Sequence, residues 1–162
     1  MGSESKQPPR IVQFSSLADL EKELDVLLEA SQRSALTVHG NWSLGQNAQH
    51  IGKFVNGALS GFDGQAPWVV RKAAKMMFKK KALGPEPMPA GFKLPKSASS
   101  MLPDPGINDE DGVAYLKEQI ARVQHGEKFS HPSPLFEALT HEEWMTMQLK
   151  HAALHLGFLE PK

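Results

Sequence analysis

The sequence predicts an all-α fold, a four-helix bundle with an additional helix and a long proline-rich crossover. Three observations carry this expectation. Apolar residues recur at i, i+3 and i+4 spacing along most of the chain, and no segment shows convincing strand alternation. Helix-start signals precede the periodic stretches. Between residues 83 and 107 stand Pro85, Pro87, Pro89, Pro95, Pro103 and Pro105, which interrupt any regular element there.

The elements follow in order. Residues 1–14 read as a flexible lead-in, with a short extended piece at Ile11–Phe14, and residues 15–162 as one helical domain. A first helix starts near Ser16 and runs to about Arg33. Leu17, Leu20, Leu24, Leu27 and Leu28 form its stripe, and Asp19, Glu21 and Glu23 lie at its positive end. A second starts at Ser43, where Gln46 three residues on completes a capping box. Its apolar positions are Leu44, Ala48, Ile51, Val55, Ala58 and Leu59, and Gly61 and Gly64 end it. A third covers roughly Pro67 to Ala82 and stops at Gly84-Pro85. The irregular segment after it is long enough to imply that it covers something. Phe92, Leu94, Met101 and Leu102 are its expected anchors on the bundle. A fourth helix opens near Asn108, buries Val113, Leu116, Ile120 and Val123, and closes at Gly126. The last is capped by Thr140 with Glu143, and its stripe runs through Trp144, Met147, His151, Leu154 and Phe158.

Bulk properties exclude several functions. The 162 residues suffice for one domain. Eighteen basic residues balance eighteen acidic ones, so no global attraction to nucleic acid is expected. The chain has no cysteine, which removes disulfides, thiolate-ligated metals and a cysteine nucleophile. No apolar run approaches a membrane span, and Met1–Arg10 lacks the apolar core of a secretory signal, so a cytoplasmic location is the expectation.

His151 and His155 carry the chemistry. Four residues apart on a helix, their imidazoles project from one face and can chelate one divalent cation. His151 lies inside the apolar stripe between Met147 and Leu154, where a histidine needs a reason. The competing reading makes one a satisfied core histidine and the other a rim residue. His50 on the second helix is the third candidate ligand. Three histidines plus an open position describe a catalytic type of site, whereas a closed structural site uses four protein ligands. His39, His125, His131 and His141 fall in loops or near helix ends and read as surface residues.

These residues carry a resemblance. His50 lies in a helix opening Trp42-Ser43-Leu44-Gly45-Gln46-Asn47. About a hundred residues on come Leu135-Phe136-Glu137-Ala138-Leu139-Thr140-His141-Glu142-Glu143-Trp144 and then Lys150-His151 and His155. The pattern resembles the DinB/YfiT-like superfamily over roughly residues 15–160. Within it, His131-Pro132-Ser133-Pro134 and the Leu-Thr-x-x-Glu-Trp stretch favour the uncharacterised group DUF1569. The resemblance implies a bundle of up-down-down-up type with a divalent metal (nickel, zinc or iron) held by His50, His151 and His155. It also implies metal-dependent transfer involving a low-molecular-weight thiol, or hydrolysis. With no cysteine of its own, the chain would need that thiol as a small-molecule substrate.

Other features are secondary. Trp42, Gln46, Asn47 and Trp144 are candidate pocket residues, Asn47 because it shares a face with His50 one turn away. Glu143 fits the capping-box acid better than a general base. Arg71, Lys72, Lys75, Lys79, Lys80 and Lys81 put six cations into eleven residues, interleaved with Trp68, Val69, Met76, Met77 and Phe78. The first four are candidate anion-binding residues. The helix either packs its apolar side on the bundle or docks a partner, which makes a non-catalytic interaction module the alternative to a metalloenzyme. Its apolar side is also a candidate homodimer surface.

Overall fold

A computed structural model describes residues 7–91 and 96–162. The expected anchors Phe92 and Leu94 lie outside the described residues. Among the described residues there are five α-helices: α1 (Leu17–Gln32), α2 (Leu44–Ser60), α3 (Trp68–Leu83), α4 (Asp109–Gln124) and α5 (His141–Leu156). The expected starts hold. Ser16 caps α1, Asn108 caps α4, and full capping boxes open α2 and α5. The α4 helix ends in a Schellman turn. The Glu127 amide donates to Arg122 and the Gly126 amide to Val123, with Gly126 at φ 102°.

Two expectations need correction. A small antiparallel sheet joins β1 (Leu36–Val38) to β2 (Leu159–Pro161), with Thr37 opposite Glu160. Three residues are too few to display alternation, so sequence periodicity could not reveal it. Phe158 lies beyond α5, and its carbonyl accepts from the His39 amide at 2.9 Å. Residues 8–10 also reach this end, where the Arg10 amide donates to Gly157 and the Arg10 guanidinium pairs with Glu23.

The core forms where α2 packs on α4 and α5, with α1 against α4. Leu24, Leu27, Leu44, Ala48, Ile51, Leu116, Ile120, Trp144 and Leu156 are fully enclosed. The α2–α4 approach is set by glycine. A Cβ on Gly112 would stand 2.1 Å from the Gly45 carbonyl oxygen, so the two helices touch backbone to backbone. Asp109 secures the contact, accepting from the Gly45 amide at 2.8 Å and from the Ser31 hydroxyl at 2.5 Å. The α3 helix packs mainly on α5 and buries only Ala74.

The crossover from α3 to α4 is held along one stripe of α2. Gln49 exchanges two hydrogen bonds with Asp104, both 2.7 Å. Lys53 donates to the Leu102 carbonyl at 2.8 Å and pairs with Asp104 at 3.1 Å. Gln46 reaches the Pro105 carbonyl at 3.4 Å. Residues 46, 49, 50 and 53 share a helical face, so they grip the crossover as a row. Met101 is buried there, whereas Leu102 is exposed and is held through its backbone, its amide donating to the Ser99 carbonyl and its carbonyl accepting from Lys53.

Candidate metal centre

Helices α2 and α5 bring three imidazoles together. His50 comes from the middle of α2, and His151 and His155 from the last two turns of α5. One ring nitrogen from each lies within 4.8 Å of the other two. The Nε2 atoms of His50 and His151 are 3.2 Å apart. Two nitrogens each about 2.1 Å from one ion and 3.2 Å apart subtend about 100°, between octahedral and tetrahedral angles.

The tautomer of His50 follows from its neighbour. Its Nδ1 is 2.7 Å from the Met101 carbonyl, which can only accept, so Nδ1 carries the proton. The neutral ring therefore turns the Nε2 lone pair toward His151. A histidine that donates its outer N–H to a carbonyl and offers its inner nitrogen is in the arrangement of a metal ligand. The crossover that supplies Met101 is the one clamped by Gln49 and Lys53.

Burial keeps the rings neutral. His50 is 3 % exposed and His151 9 %. Enclosure lowers the affinity of His50 for a proton; the Met101 carbonyl works against this and Lys53 with it. Burial, then His155 and His50, holds His151 well below the ordinary imidazole range. Burial and His50 bring His155 to about 3. Neutral imidazoles are the form that binds metal. The Nδ1 of His151 is buried without a hydrogen-bond partner among the described residues.

Aromatic rings frame the triad. Trp42 stacks on His155 with centroids 5.6 Å apart and planes 15° from parallel. Asn47 donates to the carbonyls of Trp42 at 3.0 Å and Ser43 at 2.9 Å, which holds the Trp42 loop over the site. Phe54 packs on His151 with centroids 4.5 Å apart. Trp144 stands behind Phe54, fully buried, its indole donating to the His131 carbonyl at 3.0 Å.

A cavity of 1370 Å³ opens from the triad, and Trp42 and Asn47 line it. Gln46 and Trp144 do not: the first completes the α2 capping box and the second belongs to the core. Of the candidate anion-binding residues, Arg71 donates to Gln65 at 2.7 Å, Lys75 pairs with Glu137 at 3.6 Å and Lys79 with Glu143 at 2.8 Å. Lys72 is exposed. Glu143 is thus occupied twice, by Lys79 and by the Thr140 amide, and both hold its carboxyl below the usual range. Lys150, beside His151, donates to the Gly84 carbonyl at 2.8 Å and to Ala82, closing the end of α3. Sequence periodicity could not show this tie, because it depends on where α3 lies against α5.

A family model described as a protein of unknown function, DUF1569, matches residues 6–162. The chain belongs to the DUF1569 family. No curated protein and no solved structure matches it. In this DUF1569 chain the candidate ligand group contains histidines only, among the described residues.

Proposed function

We propose that His50, His151 and His155 hold a divalent ion (zinc, nickel or iron) in a bundle of the DinB-like, up-down-down-up type. The site then serves a thiol-dependent transferase or a hydrolase acting on a small molecule. The convergence of three neutral imidazole nitrogens within 4.8 Å carries this reading. Three nitrogen ligands would leave room on such an ion for a water or substrate donor. A divalent ion there supplies Lewis acidity, which lowers the pKa of a water or an exogenous thiol toward neutrality. The chain's own part is positional: the Met101 carbonyl fixes the His50 tautomer, Trp42 and Phe54 shield two rings, and burial keeps protons off the ligands. The expected location is the cytoplasm; among the described residues no helix is long and apolar enough to cross a membrane.

Calorimetric titration of tag-free protein with zinc tests the reading. One site per chain is expected, and His151→Ala should remove it. Absence of binding in the unsubstituted protein would overturn it. A second reading rests on the outward side of α3, where Trp68, Lys72, Met76 and Lys80 are all exposed. There α3 would dock a partner, or a second copy, without catalysis. Salt-sensitive association lost on Lys80→Glu would favour it.

A further inference from the structure

Helix α3 carries apolar side chains that cover no core. Val70 is 50 % exposed, Met77 70 % and Phe78 53 %, yet all three line the cavity that ends on the histidines. Positions 70, 74, 77, 78 and 81 fall on one helical face. The interleaved cations divide accordingly. Lys75 and Lys79 are drawn into ion pairs with Glu137 and Glu143, while Lys81 lines the cavity. The helix therefore turns an apolar wall toward the triad. Leu135, Phe136, Leu154 and Phe158 contribute to other walls of the same space.

The volume and charge say what fits. At 1370 Å³ the space exceeds the ~300–1,000 Å³ common for small-molecule pockets. Three neutral imidazoles leave the full double charge of a bound ion uncompensated, and Asp63 is the one carboxylate among the described lining residues. That charge favours an anionic donor at the ion, and the wall favours an apolar body beyond it. Compact, zwitterionic thiols satisfy the first demand and leave the wall bare.

We propose that this cavity takes a molecule with one anionic head and an extended apolar body, the head at the histidine triad and the body along Val70, Met77 and Phe78. The placement of the head rests on the metal reading above; the placement of the body rests on the wall alone.

Straight-chain alkyl hydroxamates, from acetyl to decanoyl, separate the two. Each carries the same metal-binding head and differs only in apolar length. Titrated into zinc-loaded protein, they should tighten by about fourfold per methylene over the first several carbons. Met77→Glu should flatten that dependence while zinc stoichiometry stays at one; Met77 is largely exposed, so the change burdens no core. Equal affinity for acetyl and decanoyl hydroxamate would overturn the proposal. So would a length dependence untouched by both Met77→Glu and Val70→Asp. Sedimentation of the same samples covers the other occupant: a dimer that Met77→Glu dissociates, with no length dependence, assigns the wall to a second copy and overturns the proposal. Length dependence in protein that takes up no zinc would support the apolar-body assignment and overturn the metal reading alone.

Discussion

Helices α2 and α3 have nearly the same length and opposite fates. Twelve of the 17 residues of α2 are buried, against one of 16 in α3. The first is pressed backbone to backbone on α4, grips the crossover and holds His50. The second lies on α5, tied by Lys79, Lys75 and Lys150, and faces open space with its apolar side. The difference separates two tasks. A ligand atom must be held to a fraction of an ångström, which needs a helix fixed on every side. A wall that receives a molecule must leave its apolar surface uncovered until that molecule arrives.

The largest effects should come from the α2–α5 side. His50→Ala, His151→Ala or His155→Ala should each weaken zinc binding by more than about a hundredfold, since a lost ligand costs more than a lost outer partner. Competition with a chromogenic chelator measures it. Equal binding by the His50 variant would place the ion elsewhere.

The next concerns pH in the metal-free protein. The three histidines have folded pKa values below the ordinary 6.5, with His155 near 3. Below pH 6.5 the unfolded chain therefore binds more protons than the folded one. Stability is full above that pH and falls as pH drops, by up to about 1.4 kcal/mol per neutral histidine for each unit. Denaturant midpoints between pH 7.5 and 5.5 should show the decline, and zinc should raise the whole curve without flattening it, because it binds only the deprotonated rings of the folded chain. A flat profile would mean that the buried rings accept protons freely.

Gly112→Ala tests the close approach of α2 and α4. The added carbon meets the Gly45 carbonyl, so a loss of about 1–3 kcal/mol is expected. Calorimetry should show a fall of about 2–4 °C in Tm per kcal/mol. Gln49→Ala loosens the crossover behind His50 and should weaken zinc binding by about tenfold with the fold kept. Smallest of all, Lys80→Glu on the outer side of α3 should change stability by no more than about 0.5 kcal/mol. A large loss there would show that α3 carries the fold after all.

Much of the α2–α5 side was legible in the sequence, because its signals are local. Ser43 with Gln46 and Thr140 with Glu143 mark helix starts within four residues. The four-residue spacing of His151 and His155 needs only one helix to have meaning. The rest depends on where distant segments meet. Leu36–Val38 finds its partner only at Leu159–Pro161. Gln49 and Lys53 read as ordinary polar residues until the crossover arrives beside them. In α3 the cations conceal the apolar face, and the ion pairs of Lys75 and Lys79 together with buried Ala74 show which way the helix turns.

X-ray absorption at the zinc edge, on tag-free protein loaded with one equivalent, tests the triad most directly. Three imidazole nitrogens at about 2.0–2.1 Å plus one oxygen donor from water are expected. The imidazole count should fall to two in His50→Ala, the ligand supplied by α2. Zinc with fewer than three imidazoles, or a spectrum unchanged by that substitution, would contradict the account.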